Sequence, residues 1–169
     1  MVKEVAIAIL HQNDRYLMQL RDDIPTIVYP GQWTFFGGTV EPGEAAEVAV
    51  MRELHEEIRY QPPYVELFRR EQYRDFIRNV FHAPLTVDIQ ELELCEGLDL
   101  DLWTTQEVRQ GEKFSPKAGE VRKIGKPHQR VLVAYIEQGT GNREQGTGNR
   151  EQGTGNREQG TGNREQGTG

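Results

Sequence analysis

The sequence predicts a domain that mixes α-helices and β-strands. Two strand-like apolar segments open the chain, and an acidic, amphipathic helix follows a pair of glycines. Further strand-like segments then precede a closing helix. These segments by themselves predict only a fold that contains both α-helices and β-strands.

The first half begins with a predicted hairpin. The apolar run Lys3–Leu10 predicts a strand, Asn13-Asp14 a turn and Tyr16–Leu20 the partner strand. A loop with two prolines follows over Arg21–Gln32. Trp33–Phe36 then predict a short strand that leads into a glycine turn.

The acidic helix is predicted over Glu44–Ile58. Its apolar residues Val50, Met51 and Leu54 fall on one side, which we expect to pack on the core. Pro62-Pro63 prevent the helix from continuing, because proline has no backbone N–H to donate.

The second half contains further strands and two more helices. A threonine, Thr104 or Thr105, is expected to cap the first of these helices. The predicted strands are Tyr64–Phe68, Tyr73–Phe81 and fragments at Leu92 and Leu98–Trp103, and the predicted helices are Thr104–Gln110 and Pro127–Ile136.

The C-terminal segment has a different composition. From Glu137 onward the unit EQGTGNR occurs four times and ends in EQGTG, with no hydrophobic residue and ten of the 18 glycines. Such a segment cannot bury a core and is predicted to be disordered. We therefore expect one folded domain over residues 1–136 and a disordered tail over residues 137–169.

The predicted domain is acidic. With the five Glu and four Arg of the tail set aside, it carries 22 acidic and 16 basic residues, a net charge of −6. This argues against a nucleic-acid polymer as partner, since the footprint for one is basic. It suits a protein that recruits polyphosphates through metal ions.

No apolar run is long enough for a signal or membrane segment. The single cysteine, Cys95, rules out an internal disulfide and is predicted to be a small buried residue. We expect a cytoplasmic protein that has no membrane partner and is a monomer or a homodimer.

Three glutamates crowd one face of the acidic helix. Glu53, Glu56 and Glu57 are spaced i, i+3 and i+4, so at about 100° per residue they share roughly a 100° arc. Like charges at this spacing destabilise an isolated helix. A divalent cation offsets that repulsion, and carboxylate oxygens suit Mg²⁺ or Mn²⁺. A solvated acidic face is the alternative.

The residues around these glutamates resemble the Nudix box, G-x5-E-x7-R-E-U-x-E-E-x-G-U, in which U is a bulky aliphatic residue. Gly38 is followed after five residues by Glu44, and after seven more by the string RELHEE that begins at Arg52. The match covers the 23 residues from 38 to 60, and the flanking strings PGQW and FFGG also look like the family. The resemblance implies a Nudix-type α/β/α sandwich with a mixed sheet.

Three positions depart from the family pattern. Arg59 stands where the family usually has glycine, and Tyr60 stands where it has an aliphatic residue. The glycine position lies at a helix end that is commonly left-handed, where another residue costs up to about 1 kcal/mol. Phe36 replaces the proline that often precedes the two glycines. None of these changes removes a carboxylate.

The resemblance implies hydrolysis of a nucleoside diphosphate linked to another moiety. In that chemistry water attacks phosphorus, and Mg²⁺, or Mn²⁺ in its place, spreads the developing charge. The implied metal ligands are Glu53, Glu56 and Glu57, with a backbone carbonyl at Gly37 or Gly38.

Two further roles follow from the resemblance. Arg52 pairs with Glu44 to orient the helix, and it cannot act as a base because it stays protonated. The general base is either Glu53, within the box, or Glu96, in a loop before the strand that ends at Trp103. A solvated turn glutamate is the alternative for Glu96.

The candidate substrate contacts lie outside the acidic helix. The resemblance places Arg21 near a substrate phosphate, and Trp33 is a candidate to stack on a base, although a surface arginine and a core tryptophan are the alternatives. Segment Arg74-Asp75-Phe76 lacks the proline typical of ADP-ribose hydrolases, and marker residues for diadenosine polyphosphates and coenzyme A are also missing. The function that remains is that of a small MutT-type hydrolase, which acts on normal or oxidised nucleoside triphosphates.

Two other functions compete with this one. A non-catalytic nucleotide-binding sensor of the same fold commonly loses box glutamates, whereas this chain keeps them. An isopentenyl diphosphate isomerase needs a catalytic thiol, which Cys95 does not convincingly provide. The sequence therefore favours the hydrolase.

Overall fold

The structure, a computed structural model, describes residues 2–139. Within them a seven-stranded mixed sheet is accompanied by a small two-stranded sheet. The strands are β1 (Lys3–Gln12), β2 (Arg15–Leu20), β3 (Trp33–Thr34), β4 (Phe36–Thr39), β5 (Glu66–Gln72), β6 (Phe76–Pro84), β7 (Asp99–Thr104), β8 (Glu112–Ser115) and β9 (Glu120–Lys123), and the helices are α1 (Ala46–Ile58), α2 (Thr105–Gln110) and α3 (residues 126–139).

The chain divides into two compact units, Met1–Val133 and Ala134–Gly169. Everything described below belongs to the first unit. In the second, residues 134–139 form the end of α3. Residues 137–139, predicted to start a disordered tail, are therefore helical. The rest of the predicted tail, residues 140–169, lies outside the described residues, so its disorder stays a prediction.

The large sheet is organised around β1. Strands run in the order β3-β2-β1-β6-β5, while β4 also pairs with β1 and β7 with β2. The β1–β6 pair is parallel and the other pairs are antiparallel. The predicted mixed sheet is confirmed. The hairpin between β1 and β2 turns at Asn13 and Asp14, both with positive φ, as a two-residue turn requires.

Helix α1 covers one face of this sheet. Its buried residues Ala49, Val50 and Leu54 join a core cluster with Ala8 and Phe36 of the strands. Successive residues of a strand point to opposite faces, so Phe35 points away from α1. The ring of His128, at the start of α3, lies 5.3 Å from that of Phe35. Helices therefore flank the sheet on both faces, as the sandwich requires.

The end of α1 is fixed by a left-handed residue. Arg59 has φ 54° and ψ 36°, and its N–H donates to the carbonyls of His55 and Leu54. This is the conformation that glycine supplies in the family pattern, so the departure from glycine leaves the backbone unchanged and adds strain at this residue.

Several predicted boundaries were wrong. Gly37 and Gly38 lie inside strand β4, paired with Ile7 and Ala6 of β1, and do not form a turn. Leu92 follows a 3₁₀ turn at Ile89–Glu91 and belongs to no strand. The β8–β9 hairpin was not predicted, because its residues are mostly polar and exposed.

Other features were predicted correctly or need one correction. Thr104 caps α2 through a capping box with Glu107, so the threonine cap is confirmed. Cys95 is exposed, which corrects the prediction that it is buried. Among residues 2–139, no helix is both long and apolar enough to span a bilayer.

We expect Arg59→Gly to stabilise the protein by about 1 kcal/mol, because glycine adopts the left-handed conformation without the Cβ clash. Urea unfolding should show a higher midpoint with an unchanged slope. Arg59→Ala is the matched control, since alanine loses the same side chain but keeps the strain. Equal midpoints for the two variants would contradict this account of the helix end.

Candidate active site

A bidentate ion pair clamps helix α1 to the segment before it. The Nε and Nη2 of Arg52 donate to the two carboxylate oxygens of Glu44 at 2.8 and 2.9 Å, and Nη2 also donates to the Thr39 carbonyl at 3.1 Å. The hydrogen bond from Arg52 lowers the pKa of Glu44 to about 2. The same pairing raises the pKa of Arg52. Both groups are therefore charged, and they hold the helix in position relative to β4.

The three clustered glutamates lie in three different environments. Glu57 is buried, and its Oε2 accepts a hydrogen bond from the Gly37 N–H at 3.1 Å. Glu53 is largely buried and accepts one from Arg52 Nη1 at 3.0 Å. The Glu56 side chain is 55% exposed and lies 3.5 Å from the same guanidinium. The site therefore has a solvent side at Glu56 and an inner side at Glu57.

The glycine pair gives these carboxylates room. A Cβ added to Gly38 would lie 2.5 Å from the carboxylate carbon and from Oε1 of Glu53. A Cβ added to Gly37 would collide with the Ala6 carbonyl of the neighbouring strand. Only glycine therefore allows β4 to run this close to both the helix and β1.

Burial and like charges act together on the two inner carboxylates. The pKa of Glu57 is raised to about 8, chiefly by burial; the charges of Glu53 and Glu96 also raise it, and the Gly37 N–H lowers it. Burial also raises the pKa of Glu53, against the hydrogen bond from Arg52. Both carboxylates therefore lie where a nearby cation would stabilise the ionised form.

The loop that carries Glu96 lies beside these glutamates. The Cys95 N–H donates to the Glu57 carbonyl at 2.8 Å, and the Leu98 N–H donates to the Leu20 carbonyl at 2.8 Å. These bonds tie the loop to the end of α1 and to the end of β2. Glu96 is exposed, and its charge raises the pKa of both Glu53 and Glu57. The structure thus brings the two candidate general bases together.

The donor set fits a divalent cation. Carboxylates and a strand carbonyl are hard oxygen ligands, and the space at Gly38 faces Glu53 directly. Among residues 2–139, no three His, Cys, Asp or Glu side chains already converge as a ready-made metal site. Arg52 instead occupies Glu53 and Glu56, so an ion would have to share or displace that contact.

A cavity of about 390 Å³ opens beside the glycine pair and extends away from the glutamates. Arg21 and Thr34 belong to its lining, and Arg21 Nε and Thr34 Oγ1 are buried atoms that have no hydrogen-bond partner among residues 2–139. Buried polar groups normally have such a partner, so these two atoms are exceptions. Other lining residues are Lys3, Ile7, Phe35, Phe76, Arg78 and His128. We call this space the first cavity.

His128 forms part of the inner wall of the first cavity. Its Nδ1 accepts a hydrogen bond from the Phe35 N–H at 3.2 Å, and its ring contacts that of Tyr29 edge-on at 5.3 Å. The pKa of His128 is lowered to about 3, chiefly by burial and also by the charges of Arg78 and Arg21. The ring is therefore neutral, and the positive charges in the cavity lining come from Lys3, Arg21 and Arg78.

The position of Trp33 contradicts the prediction that it contacts the substrate. Its side chain is fully buried, its Nε1 donates to the Lys113 carbonyl at 3.3 Å, and its ring contacts that of Trp103 edge-on at 5.5 Å. It does not line the first cavity. Because it is a core residue, it is not available to stack on a substrate base.

Sequence reasoning missed Thr34 and His128. A strand as short as β3 does not show from its sequence which of its faces is buried. The position of His128 depends on where α3 begins against β3 and β4. Arg21, predicted to meet phosphate, does line the cavity.

The profile of the NUDIX domain family matches residues 2–134. The chain belongs to the Nudix family. This agrees with the box residues and with the sheet and helix order described above.

Curated relatives match a shorter stretch. A nucleoside triphosphatase NudI from Salmonella agona (strain SL483) is 47% identical over 49 residues, which are 29% of this chain and 35% of that protein. Its namesake from Escherichia coli O1:K1 / APEC is 51% identical over 51 residues, again 29% and 35%. The alignment thus spans about a third of the length of these relatives.

Solved structures share the fold. The MutT protein from Methanosarcina mazei Go1 superposes with a TM-score of 0.60 at 16% identity, covering 82% of this chain and 95% of that one. The NUDIX domain of Shewanella oneidensis NrtR, complexed with ADP ribose, gives 0.59 at 19% identity, covering 82% and 88%. At these identities the likeness shows the fold alone. The family match and the names of the curated relatives favour a hydrolase.

We expect the buried, neutral His128 to make the protein sensitive to mild acid. The pKa of His128 is lowered to about 3 in the folded state against an ordinary value of 6.5, so only the unfolded chain takes up a proton as the pH falls below 6.5. The stability contribution is complete above pH 6.5 and is lost progressively toward pH 3. When the pH is lowered from 6.5 to 5, the free energy of unfolding of His128→Asn should therefore decrease by about 1 to 2 kcal/mol less than that of the unmodified protein.

Urea unfolding at several pH values measures this difference. Asparagine has an oxygen that can accept the Phe35 N–H, so the variant tests the titration apart from the hydrogen bond. Parallel pH profiles for the two proteins would contradict the assignment.

Proposed function

We propose that this protein hydrolyses the pyrophosphate bond of a nucleoside diphosphate linked to another moiety, with Mg²⁺ as the cofactor and Mn²⁺ as a substitute. The observation that carries the proposal is the inner pair of carboxylates, buried Glu57 and partly buried Glu53, beside a strand that only glycine lets approach so closely. Two carboxylates at such a place are costly unless a cation joins them.

Glu53, Glu56 and Glu57, with the backbone carbonyl of Gly38, are the groups that would hold the cation. Bound there, it would supply charge neutralisation for the diphosphate and for the transition state. Arg52 fixes the helix through Glu44 and so positions the ligands. Its role is positional, because a guanidinium paired in this way does not give up a proton.

We assign the general base to Glu96, with Glu53 as the alternative. Glu53 already accepts a hydrogen bond from Arg52 and lies where a ligand is needed. Glu96 is exposed on a loop whose backbone is hydrogen-bonded to Glu57 and Leu20. A base that must take a proton from water needs such a free carboxylate near the reacting phosphorus.

The substrate class we propose is the nucleoside triphosphates, normal or oxidised. The first cavity adjoins the glutamates at Gly37 and Gly38, and Arg21 in its lining would pair with a phosphate of the substrate. The name of the NudI relatives, nucleoside triphosphatase, supports this class. A cytoplasmic location and a monomer or homodimer complete the proposal.

A panel of nucleoside triphosphates, nucleoside diphosphate sugars and dinucleotides, assayed with Mg²⁺, Mn²⁺ and chelator, tests the proposed function. Released phosphate and pyrophosphate distinguish the bond cleaved. A sensor of the same fold would bind one of these ligands in calorimetry without turnover.

We expect Glu57→Gln to lose at least about 100-fold in kcat/KM, because the loss of a group that only orients a ligand already costs 10–100-fold. Folding should be intact, since glutamine can still accept the Gly37 N–H and carries no charge to bury. Thermal unfolding should therefore show an equal or higher midpoint. Glu47→Gln, an exposed change on the same helix, is the control of equal charge. Full turnover in Glu57→Gln would refute the metal-ligand assignment.

We expect Glu96→Gln to lower kcat by about 10²–10⁴-fold while the Mg²⁺ concentration for half-maximal rate stays unchanged. A base affects the proton-transfer step, whereas a ligand affects both the rate and the metal dependence. Glu93→Gln, an exposed change on the same loop, should be nearly silent. If Glu96→Gln keeps its kcat, the base is Glu53.

A further inference from the structure

A second cavity, of about 460 Å³, adjoins the first. The two share Tyr29, Phe76 and Arg78 in their linings, so a ligand that fills the first can reach into the second. The second cavity is lined further by Arg69 and Glu71 of β5 and by Arg130 of α3. We call it the arginine cavity.

The charges of the arginine cavity are not balanced. Arg78 is buried and donates from Nε and Nη2 to Glu71 Oε1 at 2.9 and 2.8 Å, which neutralises the one carboxylate in the lining. Arg69 and Arg130 form no ion pair among residues 2–139. A net charge of about +2 therefore remains in a domain that is acidic as a whole.

The arginine cavity is also held in shape. Glu71 lies directly across from Arg78 in the β5–β6 ladder, so their ion pair is fixed by the sheet register. The Glu71 carboxylate also accepts a hydrogen bond from the Tyr73 hydroxyl at 3.0 Å, and the Tyr73 and Phe76 rings lie 6.1 Å apart. Arg69, whose guanidinium lies 5.2 Å from the centre of the Phe68 ring, and Arg130 have no ion pair among the described residues. Two such guanidinium groups in a lining fixed by Glu71 and Arg78 suit a phosphate group, which arginine can bind with paired hydrogen bonds.

We propose that the arginine cavity binds a second phosphate, carried by the substrate on the part remote from the scissile pyrophosphate. The substrate would then be a nucleotide with phosphate at both ends, such as one phosphorylated on the ribose 2′- or 3′-hydroxyl. This inference rests on the proposed function, since it takes the first cavity to hold the nucleoside.

The test compares the binding of adenosine 5′-monophosphate with that of adenosine 2′,5′- and 3′,5′-bisphosphate, by calorimetry in buffer without magnesium. None of these probes has a pyrophosphate bond, so binding is measured apart from hydrolysis. We expect one of the bisphosphates to bind at least about tenfold more tightly than the monophosphate, as charge-assisted bonds to phosphate imply.

Two double variants, each of which loses two positive charges, test whether the arginine cavity causes the preference for a bisphosphate. Arg69→Gln with Arg130→Gln removes the free guanidinium groups, and the tenfold preference should fall to about one. Arg70→Gln with Arg74→Gln removes two charges from the same β5–β6 hairpin, at exposed residues that do not line the cavity. This control should keep the preference. All four residues are exposed, so both proteins should fold.

Three results would overturn the inference. The unmodified protein could bind neither bisphosphate more tightly than the monophosphate, or bind no bisphosphate at all. The preference for a bisphosphate could survive in Arg69→Gln with Arg130→Gln, or it could be lost to the same extent in the control variant. The nucleotide panel described above is run on the same proteins. If the protein hydrolyses nucleotides but does not prefer a bisphosphate, the proposed function stands and this inference is wrong. If it prefers a bisphosphate but hydrolyses no nucleotide, the cavity is a binding site and the proposed hydrolase function is wrong.

Discussion

The burial of Glu57 against strand β4 is the contact on which the site depends. Its carboxylate meets the Gly37 N–H at 3.1 Å, and burial raises its pKa to about 8. A carboxylate in this position is satisfied only in part by one backbone donor. The remaining oxygen and the neighbouring Glu53 therefore define a place where a cation lowers the free energy. The fold has to keep helix and strand at this separation, since a wider gap would admit water and remove the effect.

Four local features maintain that separation. The glycine pair lets β4 approach both α1 and β1, which no residue with a Cβ could do at Gly37. The Arg52 clamp on Glu44 fixes one end of the helix, and left-handed Arg59 fixes the other. The loop around Cys95 is hydrogen-bonded to the Glu57 carbonyl. Each feature acts on backbone position, so the site is built by geometry before any ligand arrives.

The local parts of this arrangement could be predicted from sequence, and the long-range parts could not. Helical spacing placed the glutamates on one face, and the box pattern indicated the pairing of Arg52 with Glu44, because both follow from short separations along the chain. Trp33 was misplaced because a strand four residues long gives no sign of which face is buried. Thr34, His128 and Arg78 converge only through the sheet register and the docking of α3. Cys95 is exposed because of the path of its loop, and that path also depends on long-range contacts.

The acidic and basic side chains lie in different parts of the site. The glutamates suit a cation, whereas the arginines suit negatively charged groups of a ligand. Under the proposed function, the glutamates would repel a bare polyphosphate and accept one only with its cation, so metal binding would be a condition of substrate entry at that side. The arginines that line the two cavities attract negative charge without an ion. If the arginine cavity binds a second phosphate as proposed, a nucleotide would be oriented by its far end before its pyrophosphate is engaged. Hydrolysis would then be restricted to ligands that fit the whole length of the site.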